Sequence, residues 1–62
     1  MLERAIDALP SEQREAVVLR DRLGLGYEDV ADALGVSVAA VKSRLFRARA
    51  TLRTALKPKA EG

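Results

Sequence analysis

Five cations crowd into one stretch, VAAVKSRLFRARATLR, at residues 38–53: Lys42, Arg44, Arg47, Arg49 and Arg53. No acid separates them, and none occurs between residues 42 and 60. Phe46, the only phenylalanine of the chain, stands among them beside Ser43. The chemistry open to such a set is recognition of a polyanion. Guanidinium and ammonium groups displace counterions from phosphates. Serine, lysine and arginine hydrogen-bond base edges, and an apolar ring meets a thymine methyl. A plain solvated face is the competing reading, because single exposed hydrophobes are common. Solvated helical faces, however, usually mix both signs, with acids four residues before the cations. Reaction chemistry has little to work with: the chain lacks histidine and cysteine and shows no cluster of carboxylates. A zinc site would therefore lack its usual ligands, and no nucleophile–base pair stands out.

Periodicity assigns these residues to faces of one long helix over Val38 to Leu56. At about 100° per residue, Val38, Val41, Leu45, Ala48, Leu52 and Leu56 form an apolar stripe that must meet a core. Ala39, Ser43, Phe46 and Arg47 fall on the opposite side. Lys42, Arg49 and Arg53 flank one edge of the stripe and Arg44 the other. Small residues at Ala39, Ala40 and Ser43 let the start of the helix approach a partner closely. A recognition helix enters the DNA major groove in that way, N-terminal end first.

Three earlier segments must hold this helix. Leu2, Ala5, Ile6 and Leu9 share one helical face. Pro10 breaks the chain and Ser11 is the expected N-cap of a second helix. Ala16, Val17, Val18, Leu19 and Leu23 give that helix a wide apolar face and predict a central place in the core. Gly24 and Gly26 are expected to end it. A third, short helix is expected from Tyr27 to Leu34, with Glu28 and Asp29 at its positive end and Val30, Ala31 and Leu34 buried. Gly35 stops it, Val36 plugs the core, and Ser37 caps the fourth helix. A short helix, a glycine turn and a longer helix make a helix-turn-helix. Pro58 ends the last helix, so residues 1–57 form one all-α, four-helix domain and residues 58–62 a flexible tail.

Charge is distributed unevenly. Residues 1–41 carry four basic and eight acidic side chains, a net of −4, and residues 42–62 carry seven and one, a net of +6. Such asymmetry points to nucleic acid or a membrane surface. The apolar stripe of a membrane-surface helix is already required here to close a core, which favours nucleic acid. With 62 residues, burial on folding reaches only about 60% of the unfolded surface, so stability is expected to be marginal. No signal peptide and no membrane-spanning apolar run can be read, and with no cysteine a cytoplasmic location is expected.

From residue 2 to residue 56 the sequence resembles region 4 of bacterial sigma factors, in the extracytoplasmic-function group of the sigma-70 family. The "LP" before the second helix, "GLGYEDVADALGV" and above all "VKSRLFRAR" carry the resemblance. It implies a compact four-helix domain that binds the −35 element of double-stranded promoter DNA, with docking on the β flap of core RNA polymerase and on an anti-sigma factor. By matching position, Lys42, Ser43, Phe46 and Arg47 would read base edges and adjacent backbone. Arg20 and Tyr27 would grip phosphates. Ser37, Ala39, Arg44 and Arg49 complete the expected DNA-binding set. No cofactor, metal or enzymatic activity is implied.

The sequence departs from the family pattern at two places. Gly26 stands where a hydroxyl residue often caps the third helix. Ala39-Ala40 replaces Gly-Thr, removing a hydroxyl that could touch a phosphate. Because region 4 normally closes a longer chain, this polypeptide is expected to be one domain of a larger protein. A LuxR-type helix-turn-helix regulator shares the turn and the basic helix, but "KSRLFRAR" argues against it.

Overall fold

The computed structural model describes residues 2–56, with side chains from residue 4 to residue 55. Four helices account for the described chain: α1 (Leu2–Asp7), α2 (Ser11–Val17), α3 (Tyr27–Leu34) and α4 (Val38–Leu56). A five-residue π turn, Val18–Arg22, prolongs α2. The domain is all-α, and the bounds of α3 and α4 coincide with those the sequence predicts. The places assigned to Leu56 in the core stripe, to Pro58 as a stop and to residues 58–62 as a tail lie outside the described residues.

The centre of the fold is α4, which packs against α1, α2 and α3. The second helix lies in the core as expected, through Ala16 and Val17, but α4 is the helix that touches all the others. The reason lies in length and shape: nineteen residues of α4 offer a continuous stripe, whereas the regular part of α2 has only seven residues. Val41, Leu45 and Ala48 are fully buried on that stripe, and Val38 and Leu52 are partly buried at its ends. Facing them are Ala16 and Val17 from α2, Val30 and Ala31 from α3, and Ile6 and Leu9 from the first segment. Ala31 is small where α3 meets α4, so the backbones can approach. Among the described residues no polar or charged side chain is wholly buried, so burial of apolar surface supplies the main stabilisation.

The segment from Pro10 to Gly26 differs from its prediction. Pro10, with φ −53° and ψ 147°, occupies the N-cap of α2, and no side chain caps this end. Ser11 is thus the first helical residue and not the cap. Proline has no N–H of its own, so this helix end has one donor fewer to satisfy. Further on, Leu23 N–H donates to Val18 O at 3.1 Å, a five-residue span, and Leu25 N–H donates to Leu19 O at the same distance. The widened turn rotates later side chains away from their α-helical positions. Leu23, on the apolar face at regular helical spacing, is consequently 63% exposed. Gly24 takes the left-handed conformation, φ +73°, that ends the turn. Gly26 does not belong to this ending: with φ −71° and ψ 165° it is the N-cap of α3, without a side-chain bond.

Candidate nucleic-acid interface

The helix-turn-helix is closed by three local devices. Gly35 adopts φ 70°, ψ 35° and its N–H reaches back to the carbonyls of Ala31 and Asp32. Val36 N–H donates to Ala31 O at 3.0 Å, which satisfies carbonyls the end of α3 would leave bare. Ser37 Oγ accepts from Ala40 N–H at 3.1 Å, and Ser37 O accepts from Val41 N–H at 3.1 Å. Ser37 is therefore the cap of α4, as its position predicts, while its side chain remains exposed.

The first turns of α4 are arranged for close approach. Ala39 is exposed and Ala40 half-buried, and neither extends far from the backbone. No acid lies in the first turn of α4, whereas Glu28 and Asp29 occupy that of α3. The positive end of the α3 dipole is thus compensated within the protein and that of α4 is not. One turn further on, Lys42, Ser43, Phe46 and Arg47 are all exposed on one side of α4. Leu45 is 1% exposed and Phe46 74%. Adjacent residues so have opposite fates, and the helical phase read from the sequence is correct. Arg44 is half-buried at the margin of the stripe, and Arg49 and Arg53 are exposed further along.

The remaining predicted residues gather at the flank of this surface. The Arg20 guanidinium lies 5.0 Å from the centre of the Tyr27 ring, and the Lys42 ammonium lies 5.7 Å from it. Arg20 also donates from Nη1 to Leu25 O at 3.1 Å. Its Nε is buried without a hydrogen-bond partner. The structure thereby joins Arg20, Tyr27 and Lys42, residues from three elements, into one cluster. Periodicity alone does not reach Arg20 or Tyr27, because the π turn that aims Arg20 has no signature at a spacing of 3.6 residues.

One participant is absent from the sequence-based set. Asp21, also in the π turn, pairs with Arg49 (Nη2 to Oδ1, 3.5 Å), both side chains being about half-exposed at 49% and 48%. The cations of α4 lack acids within their own helix, but Arg49 finds one across the domain. Away from the cationic face, Arg14, Glu15, Val18, Leu19 and Leu34 line an open, mainly apolar groove of about 260 Å³ between the second and third helices. No described helix is long and apolar enough to cross a membrane.

The sequence that builds this surface has counterparts among known proteins. Residues 1–52 match the family described as "Sigma-70, region 4". The chain is 50% identical over 52 residues to the ECF RNA polymerase sigma factor SigE of Mycolicibacterium smegmatis, covering 84% of this chain and 20% of that protein. It is 42% identical over 57 residues to the RNA polymerase sigma-H factor of Pseudomonas aeruginosa, covering 92% and 30%. With the ECF RNA polymerase sigma-E factor of Escherichia coli it shares 40% identity over 55 residues, covering 89% and 29%. The chain thus spans between a fifth and a third of the length of these relatives.

Proposed function

This chain belongs to the sigma-70 region 4 family, and we propose that it recognises the −35 element of promoter DNA for RNA polymerase, as region 4 of an extracytoplasmic-function sigma factor in the cytoplasm. The observation that carries the reading is the exposure of Phe46 among Lys42, Ser43 and Arg47 on a helix whose opposite face buries Val41, Leu45 and Ala48 in the core. A helix entering a groove end-on reaches base edges with its first two turns, and later residues diverge towards the phosphates. Lys42, Ser43, Phe46 and Arg47 are accordingly the readers. Ala39 gives clearance, and Ser37 and Arg44 lie against the backbone at the start of the helix. Arg49 and Arg53 hold phosphates further along, and Arg20 and Tyr27 border the same backbone. Binding, with no catalytic step, is the whole of the proposed activity.

Two protein partners belong to this reading, the β flap of core RNA polymerase and an anti-sigma factor. The apolar groove beside Leu19 and Leu34 supports protein docking on a surface separate from the reading residues. The decisive test is a selection from random duplex DNA, followed by anisotropy titration of the selected duplex across salt concentrations. Contact with roughly four to six phosphates gives a log–log slope of about −4 to −5. Selection should recover one preferred sequence. A slope near zero, or no enriched sequence, would refute the proposal.

A further inference from the structure

Resting on that reading, we propose that Tyr27 and Arg20 are specificity-positioning residues: the Tyr27 ring, braced by Arg20, holds the Lys42 ammonium in place for base recognition. The starting observation is that two cations from different elements share one ring, at 5.0 Å and 5.7 Å from its centre. They are not equivalent. Arg20 is half-buried and tied by Nη1 to the carbonyl of Leu25, two residues before Tyr27. It therefore fixes both the loop that leads into α3 and one approach to the ring. Its Nε is buried and unpartnered, a cost tolerated where the guanidinium has a structural post to fill.

Lys42 is the mobile member. It is exposed and sits on a flexible four-carbon stem whose many rotamers must narrow to one when a base is read. Neither cation forms an ion pair among the described residues; the ring quadrupole attracts both, and Arg20 has the Leu25 carbonyl besides. A ring fixed beside Lys42 restricts those rotamers before DNA arrives, and less ordering entropy is then lost on binding. Tyr27 is the first residue of α3 and Gly26 its cap. The ring position is thus set by the joint between α2 and α3, which in this way influences a residue on α4.

The test separates a platform from a phosphate contact made by the Tyr27 hydroxyl. Tyr27→Phe keeps the ring and removes the hydroxyl; Tyr27→Leu removes the ring. Each is titrated against the selected duplex and its single-base variants, alone and combined with Lys42→Ala. Tyr27→Phe should leave base preference unchanged, and any phosphate contact its hydroxyl makes should show only as an equal loss of affinity for every duplex. Tyr27→Leu should reduce discrimination by a factor of about two to five, the size expected of an exposed cation–π contact, at the same base pairs that Lys42→Ala affects. The double variant Tyr27→Leu/Lys42→Ala should be no worse than Lys42→Ala. Lost discrimination in Tyr27→Phe, full discrimination in Tyr27→Leu, or multiplicative effects in the double variant would overturn the proposal.

A measurement without DNA keeps the two readings distinguishable. In NMR spectra of the free 62-residue chain, the Lys42 ε-methylene protons should be shifted upfield by the Tyr27 ring and should show cross-relaxation with it. This shift should persist in Tyr27→Phe and vanish in Tyr27→Leu. Its absence from the unmodified protein overturns the proposal even if promoter binding stands, and even if Tyr27→Leu fails to fold. Conversely, a present shift with no base preference in the unmodified protein refutes promoter recognition, and the positioning role with it.

Discussion

Two joints connect the longer helices, and they are built on different principles. Between α3 and α4 every device is local and chemical: Gly35 at φ 70°, the Val36 N–H bonded to Ala31 O, and the Ser37 hydroxyl bonded to Ala40 N–H. Between α2 and α3 the backbone widens into a π turn, Gly24 bends it at φ 73°, and Gly26 caps without a side-chain bond. There a long side chain does what a cap does elsewhere, as Arg20 bonds the loop carbonyl of Leu25. The first joint follows from its residue types. The second depends on a widened backbone turn and on a side-chain bond spanning five residues, neither of which the residue types announce.

The largest expected effect tests the wall that both joints share. Leu45 is the largest of the fully buried side chains and lies midway along α4. Leu45→Ala should cost about 2–5 kcal/mol. A core of this size rarely supplies more than about 3–5 kcal/mol in total, so the variant should be largely unfolded in a thermal melt followed by circular dichroism. Phe46→Ala, one residue away, should stay within about 0.5 kcal/mol of the parent. The reverse order would mean that α4 presents its other face to both joints.

Next come the two glycines, which carry the bends themselves. A methyl group added at Gly24 or Gly35 would meet no atom within 4 Å beyond its own residue and its two chain neighbours. The cost of Gly35→Ala or Gly24→Ala is therefore conformational alone, about 1–2 kcal/mol. Asparagine, which tolerates the left-handed region, should recover part of it at either site. Chemical denaturation of the four variants checks this. A full cost at Gly35 with none at Gly24 would show that the widened joint can rearrange around a new residue and the compact one cannot.

The same contrast explains what could be read in the sequence. The helix-turn-helix was legible because Gly35 and Ser37 act through their own backbone neighbours, and the stripe from Val38 to Leu52 keeps one helical period. Phe46 was legible as the residue that breaks that period. Leu23 was misplaced, because the period was carried through a π turn that resets it. Ser11 was misplaced by one residue, because Pro10 resembles a helix breaker and yet here occupies the cap. The link between Arg20, Tyr27 and Lys42 could not be read from spacing, since it crosses three elements. For Arg20 and Tyr27 only the family resemblance pointed towards the interface.

A smaller effect separates the two serines that precede or begin helices. Ser37 accepts a hydrogen bond from Ala40 N–H, and Ser37→Ala should lose about 1 kcal/mol. Ser11 makes no capping bond at the start of α2, so Ser11→Ala should change stability by no more than a few tenths, about the scale of intrinsic helix propensity. Urea unfolding curves of the two variants give the comparison directly. Equal losses would restore Ser11 as a cap in solution and weaken the distinction between the joints.

The smallest expected effect on stability concerns the one described ion pair that links the widened joint to α4. Arg49 and Asp21 approach to 3.5 Å with about half of each side chain in water, and such a pair contributes only about 0–1 kcal/mol. Its consequence for DNA is larger than its consequence for folding. On the proposed reading, Asp21 holds a cation that would meet the phosphate backbone, and its own charge would repel that backbone. Asp21→Asn releases the cation and removes the repulsion while preserving side-chain size. Affinity should rise by roughly a factor of two to five for every duplex alike, because phosphates carry no base identity. The salt slope should steepen, by at most about one, as Arg49 gives wholly to a phosphate the charge that it shares with Asp21 in the parent. Arg49→Ala made in the Asp21→Asn background should abolish this steepening and bring the slope to that of the parent or below it. If Asp21→Asn instead alters which bases are preferred and leaves the slope unchanged, Arg49 belongs among the readers, and the division of α4 into an early reading part and a later holding part is wrong.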